Sequence, residues 1–219
     1  MRITRIESQK RRPGRKNIYV DGTFLTGASE EAVAHLGLRS GDTVTPEVLE
    51  RLQRTDSYLA ARRTSLRLLA VRPRSVQELR VRLRKRGLPE TDIDKVIADL
   101  AQASLLDDRA VARAIIQDCL TLKPSGPSLM RRKLISLGIP SPIVEESLAR
   151  ELGTVDQDRV ATEAAEAYLR KHPGGRRRGP DDALRRRTAA HLARRGFTWE
   201  TIRSVLKRVL SDDSGGDDE

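Results

Sequence analysis

Aromatic residues are scarce in this 219-residue chain: two Phe, three Tyr and one Trp make up 3% of it. A core built almost without them must come from Leu, Ile, Val and Ala, which suits thin helical layers better than one thick interior. Cysteine is scarcer still. The single Cys119 excludes an internal disulfide framework and fits a reducing compartment, so the chain is expected to be cytoplasmic. It lies on an apolar stretch and is expected to be core filler, not a nucleophile. Only three histidines occur, His35, His172 and His191, and none has a second His or a Cys at ligand spacing, so no metal site is expected. No apolar run approaches membrane-spanning length, and the start, MRITRIESQKRR, lacks the apolar stretch of a signal peptide. No cofactor motif stands out: Gly174-Gly175 lies in the basic stretch HPGGRRRGP, not between a strand and a helix. The acidic pairs Asp107-Asp108 and Asp181-Asp182 precede helical stretches and are expected to be caps, not a paired acid and base. With no recognisable nucleophile motif, the chain is expected not to be an enzyme.

What the chain does have is one pattern three times over. A basic helix with apolar spacing, a glycine, a large apolar residue, a short polar linker and a second helix run from Leu79 to Leu100, from Met130 to Glu151 and from Thr188 to Val209. The turn glycines, Gly87, Gly138 and Gly196, stand 51 and 58 residues apart, a period that marks stacked helical units. With the glycines in register, Leu83, Leu134 and Leu192 align, as do Leu88, Ile139 and Phe197, then Ile93, Val144 and Ile202, then Ile97, Leu148 and Leu206. Thr188 and Ser147 fall at positions that are apolar in the other copies. Each glycine is expected just past the first helix, in a left-handed conformation that a side chain would penalise. Pro89, Pro140 and Thr198 then open the second helix.

A further helix precedes each pair: about Ser57 to Val71, from Asp107 to about Leu120, and about Asp156 to His172. Nine main helices in three triplets follow. Ser75-Val76-Gln77-Glu78 has the form of a capping box for the middle helix of the first triplet. The first 56 residues differ. Asn17 to Val20 is β-prone and ends in Asp21-Gly22, a tight-turn signal; Phe24 and Leu25 continue a third strand. Ser29 caps a short helix through Leu36, and Thr45-Pro46 opens another through about Arg54. The fold expected is mainly α: three tandem three-helix repeats forming an elongated curved molecule, after a small β-hairpin-containing module. The boundaries are 1–56 for that module, 57–104, 105–154 and 155–210 for the repeats, and 211–219 for an acidic, disordered tail.

The net charge of +11 is unevenly spread. Residues 57–104 carry 11 basic and 5 acidic groups, residues 105–154 carry 7 and 6, and residues 155–210 carry 14 and 7. The outer repeats are basic and the middle one is nearly neutral. Most of the cations are arginines, suited to bidentate contact with phosphate or carboxylate. The candidate binding face gathers Arg72, Arg74, Arg80, Arg82, Arg84, Lys85 and Arg86 in the first repeat. The second supplies Arg131, Arg132 and Lys133. The third supplies Arg176, Arg177, Arg178, Arg185, Arg186, Arg187, Arg194 and Arg195. With Leu79 and Leu83 facing the core, the cations are expected to point outward, forming a row that a phosphate backbone or an acidic groove could follow. Few aromatics flank these clusters, which speaks against recognition by base stacking, and Trp199 is expected to pack at the start of its helix.

The chain resembles the RecX family, bacterial regulators of the RecA recombinase. The resemblance is carried from about Tyr58 to Leu152 by RPRSVQEL, by the Leu105-Leu106-Asp107-Asp108 junction and by the Lys123-to-Pro127 turn before a basic helix. At the Asp107-Asp108 junction the family commonly continues with an aromatic, where this chain has Val111. The leader containing VDG is similar to that of some members. The resemblance implies a nine-helix, three-repeat protein that binds RecA filaments on DNA and mainly inhibits their ATP hydrolysis and strand exchange. The implied partners are the RecA filament and single- or double-stranded DNA, with no membrane and a monomeric state. The reading that competes with it is a general helical nucleic-acid-binding protein without a dedicated protein partner.

Overall fold

The computed structural model describes residues 1–172 and 181–211. They form three strands and ten helices, in two compact units. The first unit is Met1–Arg74 with Glu78–Leu106; the second is Ser75–Gln77 with the chain from Asp107 onward.

In the first unit, β1 (Ile3–Ser8), β2 (Arg15–Val20) and β3 (Thr23–Ser29) make an antiparallel meander in that order. Asp21 and Gly22 close the β2–β3 turn, both with positive φ, as the tight-turn signal requires. Ile18 and Val20 point to the core with Ile3, while Tyr19, between them, meets Phe24 edge-on and lies under the Arg5 guanidinium. Ser29 Oγ accepts from Ala32 N and caps α1 (Glu30–His35). The α2 helix (Pro46–Val71) opens at Thr45-Pro46 as expected. It does not stop near Arg54. The two helices expected at 46–54 and 57–71 are one helix of 26 residues, about 39 Å long. The boundary placed after residue 56 therefore falls inside α2. Thr55, Asp56 and Ser57 contain no breaker, and Asp56 is put to use as a strut: it accepts from Ser29 N and pairs with Arg15 at 3.1 Å. The N-terminal half of α2 covers the sheet through Leu52, and α2 also packs against α4 (Glu90–Gln102). Leu79 and Leu83 of α3 (Val76–Arg84) are buried, and so are Ile93, Val96, Ile97 and Leu100 of α4.

In the second unit, α5 (Asp108–Thr121), α6 (Pro127–Ser136) and α7 (Ser141–Leu152) enclose one core, including Ile116, Cys119, Met130, Leu134, Ile139, Val144 and Leu148. A second core, with Val160, Ala164, Leu192, Phe197, Ile202 and Val205, lies among α8 (Gln157–Lys171), α9 (Asp181–Arg194) and α10 (Trp199–Ser211). Asp107 caps α5 through its carboxylate, as expected, whereas Asp108 accepts from Val76 N, and Asp181 and Asp182 lie inside the first turn of α9. Asp156, not singled out as a cap in the sequence, caps α8 in the same way as Asp107. Thr188 and Ser147, the polar exceptions in the alignment, are buried at apolar positions. The Thr188 hydroxyl finds no partner among the described residues.

The glycine turns also pack. At Gly196, φ is +85°, and an added Cβ would stand 2.3 Å from Leu129 N. Gly126 N donates to Arg195 O at 2.9 Å and Ser128 N to Gly196 O at 3.2 Å, so the start of α6 is seated on the α9–α10 turn. The Ser75–Gln77 segment sits on the α6–α7 turn in the same way: Ser75 Oγ donates to Leu137 O, and the Gln77 side chain fills the space beside Gly138.

Candidate functional site

The candidate face divides into cations already engaged within the protein and cations that are not. In the first unit Glu78 is a hub. Its carboxylate accepts from Arg72 at 2.6 Å, Arg74 at 2.5 Å and Arg82 at 3.2 Å. Burial alone would raise the Glu78 pKa, but the guanidiniums of Arg72, Arg74 and Arg82 outweigh it and hold the carboxyl below its ordinary range. Arg74 is 7% exposed and also donates to Leu68 O, so it does not point outward as expected; it is a buried strut between α2 and α3. Arg80 is half-buried against Asp94 at 2.5 Å and Glu90 at 3.2 Å. Arg84 forks onto Glu90. Both therefore clasp α3 to α4 instead of projecting freely. Lys85 and Arg86, exposed just after α3, make no ion pair with any described residue.

The same division runs through the second unit. Arg131 makes a bidentate pair with Glu145 across the α6–α7 hairpin, at 2.7 and 2.8 Å. The pairing raises the arginine's pKa and lowers that of the glutamate. Lys133 turns to the buried Cys119 and donates to its Sγ at 3.2 Å. Arg195 donates through Nε and Nη2 to Pro124 O, fastening the α5–α6 turn to the end of α9. Among the described residues, Arg187 bonds only to Ala183 O on its own helix. Arg132, Arg185, Arg186 and Arg194 make no ion pair with any described residue, and all but the half-buried Arg185 are exposed. Arg176, Arg177 and Arg178 lie outside the described residues, as does most of the acidic tail.

Several functional features escape a reading of the basic runs. The counter-charges Glu78, Glu90, Asp94 and Glu145 are the acids that take cations out of the candidate face; their signal is register relative to the turn glycines. Arg203 and Lys207, exposed on α10, make no ion pair with any described residue and add to the third repeat. Trp199 is not packed at its helix start; it is 68% exposed, since the side chain at the first position of α10 leads away from the core formed by Phe197 and Ile202. Tyr168, His172 and His191 form a stack, with the ring centroids of both imidazoles within 4.5 Å of that of the tyrosine. Burial pushes His191 below the ordinary histidine range, and Arg195, Arg194, His172 and Lys171 add to the effect.

Among the described residues, no group of three His, Cys, Asp or Glu side chains could hold a metal ion, and no helix is long and apolar enough to cross a membrane. The chemistry on offer is that of arginine-rich helices, open in the first unit just after α3 and in the second along α9 and α10.

This combination of sheet, repeats and turns has relatives. Residues 1–45 match the model of the regulatory protein RecX N-terminal domain, 61–100 that of the RecX first three-helix domain, and 156–206 that of the third. A regulatory protein RecX from Chlorobaculum tepidum is 35% identical over 155 residues, covering 71% of this chain and 91% of its own. One from Clostridium acetobutylicum is 27% identical over 213 residues, covering 97% and 98%. A crystal structure of regulatory protein RecX shares the fold with a TM-score of 0.67 at 23% identity, covering 96% of this chain and 98% of its own. RecX from Lactobacillus salivarius does so at 0.60 and 19% identity, covering 70% and 97%. With the sheet module and two three-helix units each matching their own model, and a relative above 30% identity covered almost end to end, the chain belongs to the RecX family of regulatory proteins.

Proposed function

We propose that this chain is a non-enzymatic regulator of the RecA recombinase, mainly an inhibitor, which binds RecA–DNA filaments and lowers their ATPase, strand-exchange and SOS activities. The observation that carries the reading is the open arginine surface of the third repeat, in a chain of the RecX family. The proposed contacts are Lys85 and Arg86 just after α3, Arg132 from α6, and Arg185, Arg186, Arg194 and Arg203 from α9 and α10. The protein acts as a monomer in the cytoplasm. Unpaired arginines can meet DNA phosphate and recombinase carboxylates by the same bidentate geometry.

The test is a titration of this protein into RecA hydrolysing ATP on single-stranded DNA, at two salt concentrations. A fall in rate at substoichiometric to stoichiometric ratios is expected. An unchanged rate with folded protein sinks the proposal. Binding to naked DNA with no effect on RecA would favour a general nucleic-acid-binding protein instead.

A further inference from the structure

In a chain with six aromatic residues besides its three histidines, three rings stand together at the end of α8. The Tyr168 ring stacks with two imidazoles: His172 at 4.3 Å, tilted by 30°, and His191 at 4.5 Å, nearly parallel at 22°. Tyr168 packs against the apolar cluster of Leu169, Leu184 and Leu210, which anchors the stack. His172 Nδ1 lies 2.8 Å from Tyr168 O. A carbonyl only accepts, so this nitrogen carries the proton and the ring is held in place. His191 is half-buried, while His172 is exposed. The permanently charged side chains acting on His191 are cationic: Arg195, Arg194 and Lys171. Arg195 is committed to Pro124 O, but Lys171 and Arg194 are exposed and make no ion pair with any described residue.

A flat stack with an exposed ring, in a field of cations, has one well-matched ligand class. The base of an unpaired nucleotide extends the stack while its phosphates meet the cations. A duplex hides its base faces, and an acidic peptide would use the cations but leave the imidazole face bare.

We propose that Tyr168, His172 and His191 form a base-stacking platform for single-stranded nucleic acid, the exposed ring of His172 taking a base and Lys171 and Arg194 the flanking phosphates. This site needs no recombinase. It shares Arg194 with the contacts proposed for the RecA–DNA filament, but it is tested without RecA.

The experiment compares a fluorescent oligo-dT strand with an abasic strand of equal length and charge, each titrated with the full chain. The dT strand binds about fivefold tighter or more, the low end of what one stacked base contributes. His172→Ala removes that preference and leaves abasic binding unchanged; His172→Tyr keeps it. The side chain is exposed at a helix end, so neither substitution touches the core. Equal binding of the two strands by the unaltered chain overturns the proposal. So does a preference that survives His172→Ala, or one lost only in Trp199→Ala. Binding of poly-glutamate that falls with His172→Ala as far as dT binding does would also overturn it, in favour of an acidic protein partner.

Discussion

Seven residues before Gly138 stands Arg131, and seven after it Glu145; at the same distances from Gly196 stand Ala189 and Arg203. The α6–α7 and α9–α10 hairpins share their apolar register, and Leu134 and Leu192 are both wholly buried. They differ in what crosses the outside of the hairpin. In the first, the arginine meets a glutamate and the pair is spent inside the molecule. In the second, the acid is replaced by Arg203, and the surface keeps its charge. Around Gly87 the same two positions hold Arg80 and Asp94, which pair at 2.5 Å. One packing device, used three times, thus carries a neutralising clasp in two copies and none in the third. The basic runs look alike in sequence; the counter-charges at fixed register decide which of them can meet a partner.

The largest effects should be those the hairpins share. Leu134→Ala and Leu192→Ala are each expected to cost about 2–5 kcal/mol in urea unfolding, by cavity formation in a packed core. A loss under 1 kcal/mol at either site would break the equivalence of the two cores.

The turns come next. Gly196→Ala is expected to destabilise more than Gly87→Ala. Both pay about 1–2 kcal/mol for a side chain at positive φ. Only Gly196 also presses a Cβ against the Leu129 backbone, whereas nothing lies within 4 Å at Gly87. Equal unfolding midpoints would mean that the start of α6 is not held on that turn.

The electrostatic contrast is tested by salt dependence. Arg186→Ala, Arg194→Ala and Arg203→Ala together should make the slope of log affinity for single-stranded DNA against log salt shallower by about 2, from three lost phosphate contacts. Arg131→Ala, which frees Glu145 and removes no open cation, should leave that slope unchanged. The same loss of slope from both variants would erase the distinction between clasped and open arginines.

The smallest effect concerns His191, which stands five residues before Gly196 where the second hairpin has Lys133 five before Gly138. Burial, with Arg195, Arg194, His172 and Lys171 nearby, depresses its pKa in the folded state, so folding favours the neutral ring. Its stabilising contribution is present above the unfolded value of about 6.5 and is lost as pH falls toward the depressed folded value. Thermal unfolding should therefore show a decline between pH 7.5 and 5 that His191→Gln flattens. An identical pH profile for the variant would mean that the ring titrates freely.

The architecture was largely legible in the sequence because its causes are local. Apolar spacing, left-handed glycines, Asp107 as a cap, and the Asp21-Gly22 turn act within a few residues of themselves. The exception at α2 is also local in origin: with no breaker between Arg54 and Tyr58, the helix runs on, and Asp56 finds its partners on the sheet. The candidate face was legible only as a list of cations. Arg74 and Arg195 have the same composition around them as Arg86 and Arg194. Yet the first two are tied to Glu78 and Pro124, respectively, and the others are not.

The sequence by itself determined that this is a helical repeat protein with a small sheet and an excess of arginine, since periodicity and turn chemistry need no distant partner. The tertiary structure alone decided which arginines remain open, that Trp199 is bare, and that three scattered rings meet at the end of α8. Some of these pairings are between near neighbours, as in Arg74 with Glu78, but others join residues 14 to 71 apart, such as Arg131 with Glu145 and Arg195 with Pro124, and the stack spans 23. Interactions at such separations exist only once the helices have packed.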